Sequence, residues 1–153
     1  PGDNYHPENS HVLPALIRRF HEAKVNMLDQ VEVWGSGTPK REFLYVDDMA
    51  AACMYIHNMD QQSFGSNISP MLSHVNVGTG QDIMIKELAQ IVKEVIGFKG
   101  KIFFDKTKSD GTQRKLLDIQ LISKFGWKPE TDLRDGIRIS YGDFIHNQKK
   151  LRL

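Results

Sequence analysis

Histidine is the natural place to look for proton transfer near neutral pH, and the chain carries six of them. No two stand at the His-x-x-x-His spacing that holds a metal on one helix face, and no Cys/His cluster accompanies them. His11 stands apart from the rest. It directly precedes the apolar positions Val12, Leu13 and Leu16, at a helix start where free backbone N–H groups and the helix dipole disfavour a positive imidazolium. A neutral ring held there could exchange protons with a carbon acid. A polar residue at a helix start also commonly serves as a cap, so a structural role stands beside the catalytic one.

Cations near turns form the second group. Arg18-Arg19 follows the second turn of the same helix, with Arg19 pointing away from the apolar stripe; Arg41 lies just past a turn that begins at Trp34; Arg114-Lys115 follows the turn Asp110-Gly111. If these loops converge, they offer cations for a diphosphate and a flat indole for a base; if not, they are solvated surface. Two glycine-bearing loops raise the question of phosphate. Gly35-Ser36-Gly37 follows a strand but no helix begins directly after it, and Gly78-Thr79-Gly80 leads to a helix opened by Asp82, whose charge would repel phosphate. Neither matches Gly-x-Gly-x-x-Gly, so tight turns are expected at both. Cys53, in the apolar stretch 49–56, is expected to be a small buried hydrophobe.

The elements that would position these groups alternate. Helical spacing over 10–24 has Ser10 as its N-cap and Pro14 in the first turn. A short strand at 31–34 ends in the glycine turn, and an extended segment over 41–45 leads to Asp47 as cap of a helix to about residue 59. That helix is apolar around most of its circumference and expects cover on more than one side. A polar loop over 60–73 leads to a strand at 75–77. Asp82 is then expected to cap the clearest helix, with Ile85, Leu88, Ala89, Val92, Val95 and Ile96 as its stripe and Gly97 as its end. A strand at 101–104, a short helix from Asp118 to Phe125 and a last helix from Asp132 past Ile145 complete an α/β chain without internal repeats.

At 153 residues the chain can bury one core, and 40% hydrophobic with 25% charged residues is a globular balance. A formal net charge of +1 lacks the basic footprint of a nucleic-acid binder; the tail Lys149-Lys150-Leu151-Arg152 is expected to be a solvated helix end. One cysteine excludes an internal disulfide framework. No apolar run is long enough to span a membrane and no signal peptide is evident, so a cytoplasmic protein is expected. The opening Pro1-Gly2-Asp3-Asn4 is turn chemistry without an initiator methionine, as in a chain cut inside a loop.

One stretch runs from Pro1-Gly2-Asp3-Asn4 through Asn9-Ser10-His11 to Arg18-Arg19-Phe20, and another from Val33-Trp34-Gly35-Ser36-Gly37 through Arg41-Glu42-Phe43 to Tyr45-Val46-Asp47-Asp48-Met49-Ala50. Both resemble the GDP-L-fucose synthases, extended short-chain dehydrogenases built on a Rossmann-type domain. Ser109-Asp110-Gly111-Thr112-Gln113-Arg114-Lys115 narrows the resemblance, and Phe125-Gly126-Trp127-Lys128-Pro129 is common to the wider superfamily. The resemblance covers essentially the whole chain, as the C-terminal, substrate-binding portion (1–153) without the N-terminal NADP-binding domain. It implies an NADPH-dependent enzyme that epimerises GDP-4-keto-6-deoxy-D-mannose at C3 and C5 and then reduces C4. His11 matches the histidine acid/base and is also implied to meet the cofactor. Arg19, Trp34, Arg41 and Lys115 match GDP-sugar positions, with Asp110 as an acceptor for a hydroxyl or base N–H.

The resemblance further implies that NADP(H) is bound mainly by the missing N-terminal half, that this half is the chain's partner, and that the full enzyme is a homodimer; neither nucleic acid nor membrane is implied. The glycine-rich NADP loop, the Tyr-x-x-x-Lys pair and the family's catalytic cysteine belong upstream, and no tyrosine here is followed four residues later by lysine. Cys53 does not stand in the cysteine's motif. The alternatives are an inactive GDP-sugar-binding fragment and another nucleotide-sugar epimerase or dehydratase of the superfamily.

Overall fold

A computed structural model describes residues 1–69, 71 and 74–147; the basic tail at 149–152 and part of the 60–73 loop lie outside them. Helix α1 (Val12–Val25) buries Leu16, Ile17, Phe20 and Ala23 on one side, the face its helical spacing defines. Pro14 is harmless there because the first-turn N–H groups have no intrahelical acceptor. Strand β1 (Gln30–Trp34) alternates exposed and buried, with Val31 and Val33 inward. It pairs in parallel with β4 (Lys101–Asp105), setting Trp34 beside Asp105.

The remaining strands form a second, small sheet. Strand β2 (Lys40–Glu42) is central, antiparallel to β3 (Asp82–Met84) and parallel to β5 (Arg114–Lys115). Helix α4 (Ile85–Ile96) packs Leu88, Ala89 and Val92 into the main core and ends at Gly97, whose φ of 75° is the left-handed conformation that glycine adopts without a Cβ penalty. Helix α6 (Leu133–Asn147) closes this core with Ile137 and Phe144.

A smaller cluster, Ala52, Ile122 and Trp127, joins α2 (Val46–His57) to α5 (Gln120–Lys124). Within 60–73 a short helix, α3 (Gln61–Gly65), replaces the expected loop, capped by the Asp60 side chain on Ser63 N. No described helix is long and apolar enough to cross a membrane.

Several expectations are corrected. His11, not Ser10, is the N-cap of α1. Tyr45 rather than Asp47 precedes α2, and Asp48 turns inward to accept from Thr131 N at 3.0 Å. Asp82 caps no helix; it lies in β3 and pairs with Arg114 and Lys40, because two cations on neighbouring strands offer it more than a helix end does. The 41–45 extension shortens to β2. Residues 75–77 form no ladder among the described residues; Val75 and Val77 lean instead on the small cluster. Cys53 is exposed, not buried. The inner face of α2 is Asp48, Ala52 and Ile56, at the i, i+4, i+8 spacing, which leaves Cys53 outside that face and exposed, as are Val46, Met49 and Ala50.

Candidate functional site

The start of α1 lies against the end of β1. There the Arg19 guanidinium sits over the Trp34 ring, 4.8 Å from its centroid, within cation–π range. Glu32 holds both partners: its carboxylate accepts from Trp34 Nε1 at 3.1 Å, and its carbonyl accepts from Arg19 Nη1 at 3.3 Å. Glu32 and Trp34 are two apart on a strand and share a face. The indole stays 54% exposed, so its orientation is fixed while much of its surface meets solvent. A groove of about 180 Å3 runs past it, with Ser10, Val12, Arg19, Trp34 and Ile85 in its walls.

His11 is exposed at the head of α1 and stays out of the core. Ser10 and Val12 on either side of it line the groove; His11 itself does not. No side chain caps the helix there.

The turn after Trp34 links the groove to the small sheet. Asp110 accepts from Ser36 N at 2.8 Å and from Ser36 Oγ at 2.7 Å, and the Ser36 hydroxyl, then its amide, hold the Asp110 carboxyl below its ordinary range. Gly35, at φ 84°, must be glycine here for a second reason, since a Cβ would clash with the Asp110 carboxylate. A Cβ on the next residue, Gly111, would lie 3.2 Å from Arg41 Nη2. Arg41 is half-buried, donates to the Lys40 carbonyl at 2.7 Å, and is the register partner of Lys115 on β5. Arg19 thus meets Trp34 through a ring contact, the turn at Ser36 ties Trp34 to Asp110, Arg41 comes close to Gly111 beside Asp110, and Arg41 pairs in register with Lys115. Only Arg19 and Trp34 line the groove; Arg41, Asp110 and Lys115 lie outside it.

Neither glycine loop is a phosphate cradle, because carboxylates already take their donors. Glu42 accepts from Gly80 N at 2.6 Å and from Thr79 Oγ1 at 3.3 Å, and a Cβ at Gly78 would strike it; Asp110 takes Ser36 N. The described residues therefore do not fit the diphosphate of a dinucleotide at either loop. Among them, no group of three or more His, Cys, Asp or Glu residues could hold a metal ion. A larger cavity, about 330 Å3, lies between the N-terminal segment, α1 and α6. Its walls include Leu13, Ile17, Phe43 and Ile137, with Asp3 and Asp132 as charged side chains and no lysine or arginine, so it is not suited to a diphosphate.

Sequence reasoning missed Glu32, Ser36 and Lys108. The first was legible from strand alternation. Lys108, whose ammonium lies 5.6 Å from the Trp34 centroid, had no signal beyond membership of a charged segment.

The sequence profile of the NAD dependent epimerase/dehydratase family matches residues 1–78, and the chain belongs to that family. It is similar to the GDP-L-fucose synthase of Escherichia coli (strain K12), 52% identical over 99% of this chain and 47% of that protein. GDP-L-fucose synthase 1 of Arabidopsis thaliana is 54% identical over 96% of this chain and 43% of its own length. Among solved structures, a GDP-L-fucose synthetase from Naegleria fowleri bound to NADP superposes with a TM-score of 0.81 at 26% identity, covering 100% of this chain and 46% of that one. The chain thus spans about half the length of the relatives it matches.

Proposed function

We propose that the chain is the C-terminal, GDP-sugar-binding portion of a cytoplasmic GDP-L-fucose synthase, which epimerises GDP-4-keto-6-deoxy-D-mannose at C3 and C5 and reduces C4. The observation that carries this is 52% identity along 99% of the chain to a GDP-L-fucose synthase. The grouping of Arg19, Trp34, Arg41 and Lys115 supports it, because a diphosphate flanked by a base calls for cations beside a flat ring.

The chemistry asked of this chain is limited. C3 and C5 flank the C4 ketone, so a base in the remaining half of the enzyme that takes a proton from either leaves an enolate, and inversion needs a proton returned on the other face. His11, exposed at a helix head beside the groove, supplies that proton. Arg19, Arg41 and Lys115 neutralise the diphosphate and hold the sugar's position. NADPH would supply hydride for the C4 reduction. The glycine loops here do not fit it, so we assign NADP(H) mainly to the length that the relatives have and this chain lacks, with His11 as this chain's contact to it.

That remaining half is the proposed partner. The outward face of α2 carries Val46 (51% exposed), Met49 (41%) and Cys53, an apolar stripe at the i, i+3, i+7 spacing that a helix buries when it docks. The 75–77 segment, which forms no ladder among the described residues, packs on the same small cluster. The complete enzyme is expected to be a homodimer. The direct test is NADPH oxidation with the 4-keto sugar: the complete polypeptide turns over and the purified 153-residue chain does not. Turnover by the 153-residue chain alone would overturn this division of labour.

A further inference from the structure

Trp34 carries a second cation, and the segment that brings it there is fastened at both ends. Asp105, the register partner of Trp34, accepts from Thr107 N at 3.0 Å and Thr107 Oγ1 at 2.6 Å, and Lys108 N donates to its carbonyl at 3.2 Å. At the far end Asp110 is bonded twice to Ser36. Lys108, between these two anchors, extends its ammonium over the indole. Arg19 occupies the same ring. Among the described residues neither cation has a carboxylate within ion-pair distance, whereas Arg18, Lys40, Arg114, Arg134 and Arg138 all do; Lys108 lies only near enough to Asp105 to help Thr107, the stronger influence, hold that carboxyl below its ordinary range.

A cation–π contact at an exposed site is worth only about 0.5–1 kcal/mol, so an anion reaching the exposed part of the indole would gain more from these two cations than the ring does. We propose that Lys108 is a further cation of the diphosphate site, seated over Trp34 by a strap that Asp110 fastens to Ser36. This rests on the GDP-sugar reading of the site. It gives Asp110 a role that needs no contact with ligand: it positions Lys108.

The test is calorimetric titration of GDP into the complete polypeptide. Lys108→Ala weakens GDP binding on the order of five- to tenfold and leaves guanosine binding unchanged. Lys106→Ala, which removes the same charge from the same strap away from the ring, has little effect; equal losses from the two variants would mean a diffuse field and overturn the assignment. Asp110→Ala weakens GDP binding, and combining it with Lys108→Ala adds almost nothing further. Additive losses would show Asp110 contacting ligand itself and overturn the strap. Arg41→Ala separates the two levels: if it weakens GDP while Lys108→Ala does not, the Lys108 inference alone fails, and if neither does, the GDP-sugar reading fails with it.

Discussion

Arg41 and Lys115 are register partners on parallel strands, and paired positions project to the same face. Two cations on one face, neither with a carboxylate at ion-pair distance among the described residues, make a surface that gains from an anion. Arg41 is the more constrained of the two. Its guanidinium donates to the Lys40 carbonyl and abuts Gly111, so little rotamer freedom remains to be lost on binding. Arg41→Ala in the complete polypeptide is therefore expected to weaken GDP binding by about 1.5–3 kcal/mol, read by calorimetry. Unchanged affinity would remove Arg41 from the site. The types of these residues were legible in the sequence, but their adjacency was not, because it depends on a two-residue strand pairing with residues more than seventy positions upstream. Lys108 was illegible for the same reason: a lysine in a charged segment becomes a ring contact only once Asp105 and Asp110 have fixed the strap.

Helices α1 and α6 meet at His21, whose Nδ1 lies 3.1 Å from the Tyr141 hydroxyl and whose ring meets Phe144 edge-on. Burial there, then the nearby Lys24 ammonium, pull His21 below the ordinary imidazole range, against a smaller opposite pull from Glu22. The unfolded chain takes up this proton first as pH falls through about 6.5. His21 therefore costs no stability above that value and lowers it progressively as pH falls toward its folded value. Urea midpoints should fall between about pH 7.5 and about pH 5, and His21→Gln should flatten that slope; an unaltered slope would assign the dependence to other groups. At this scale the apolar stripes of α1 and α4 were legible because their 3.6-residue period survives any context. Helix starts were not. Asp47 and Asp82 are good caps by type, but α2 begins one residue earlier than Asp47, which lies inside its first turn, and Asp82 found in Arg114 a partner across the fold that outweighed a local cap.

For the whole molecule, the exposed face of α2 and the carboxylates that take donors of the two glycine loops support the proposal that the chain presents a substrate site and a docking face, with the dinucleotide held by the remaining half of the enzyme. Replacing Met49 with Glu and Cys53 with Ser should keep the isolated chain soluble at concentrations where it otherwise associates, and should lower activity in the complete polypeptide by disrupting docking. Light scattering and an activity assay would read these out; full activity in the double variant would place the docking face elsewhere. The central claim is that His11 of this chain returns protons to the sugar. Its most direct test is mass-spectrometric deuterium uptake by GDP-4-keto-6-deoxy-D-mannose in D2O with the complete polypeptide. The wild type should introduce deuterium at C3 and C5 with inversion of both centres, whereas His11→Asn should lose most of the inverted, deuterated product, any deuterium it takes up remaining in sugar of unchanged configuration, while GDP affinity stays near that of the wild type. Undiminished formation of the inverted, deuterated product by His11→Asn would contradict the account.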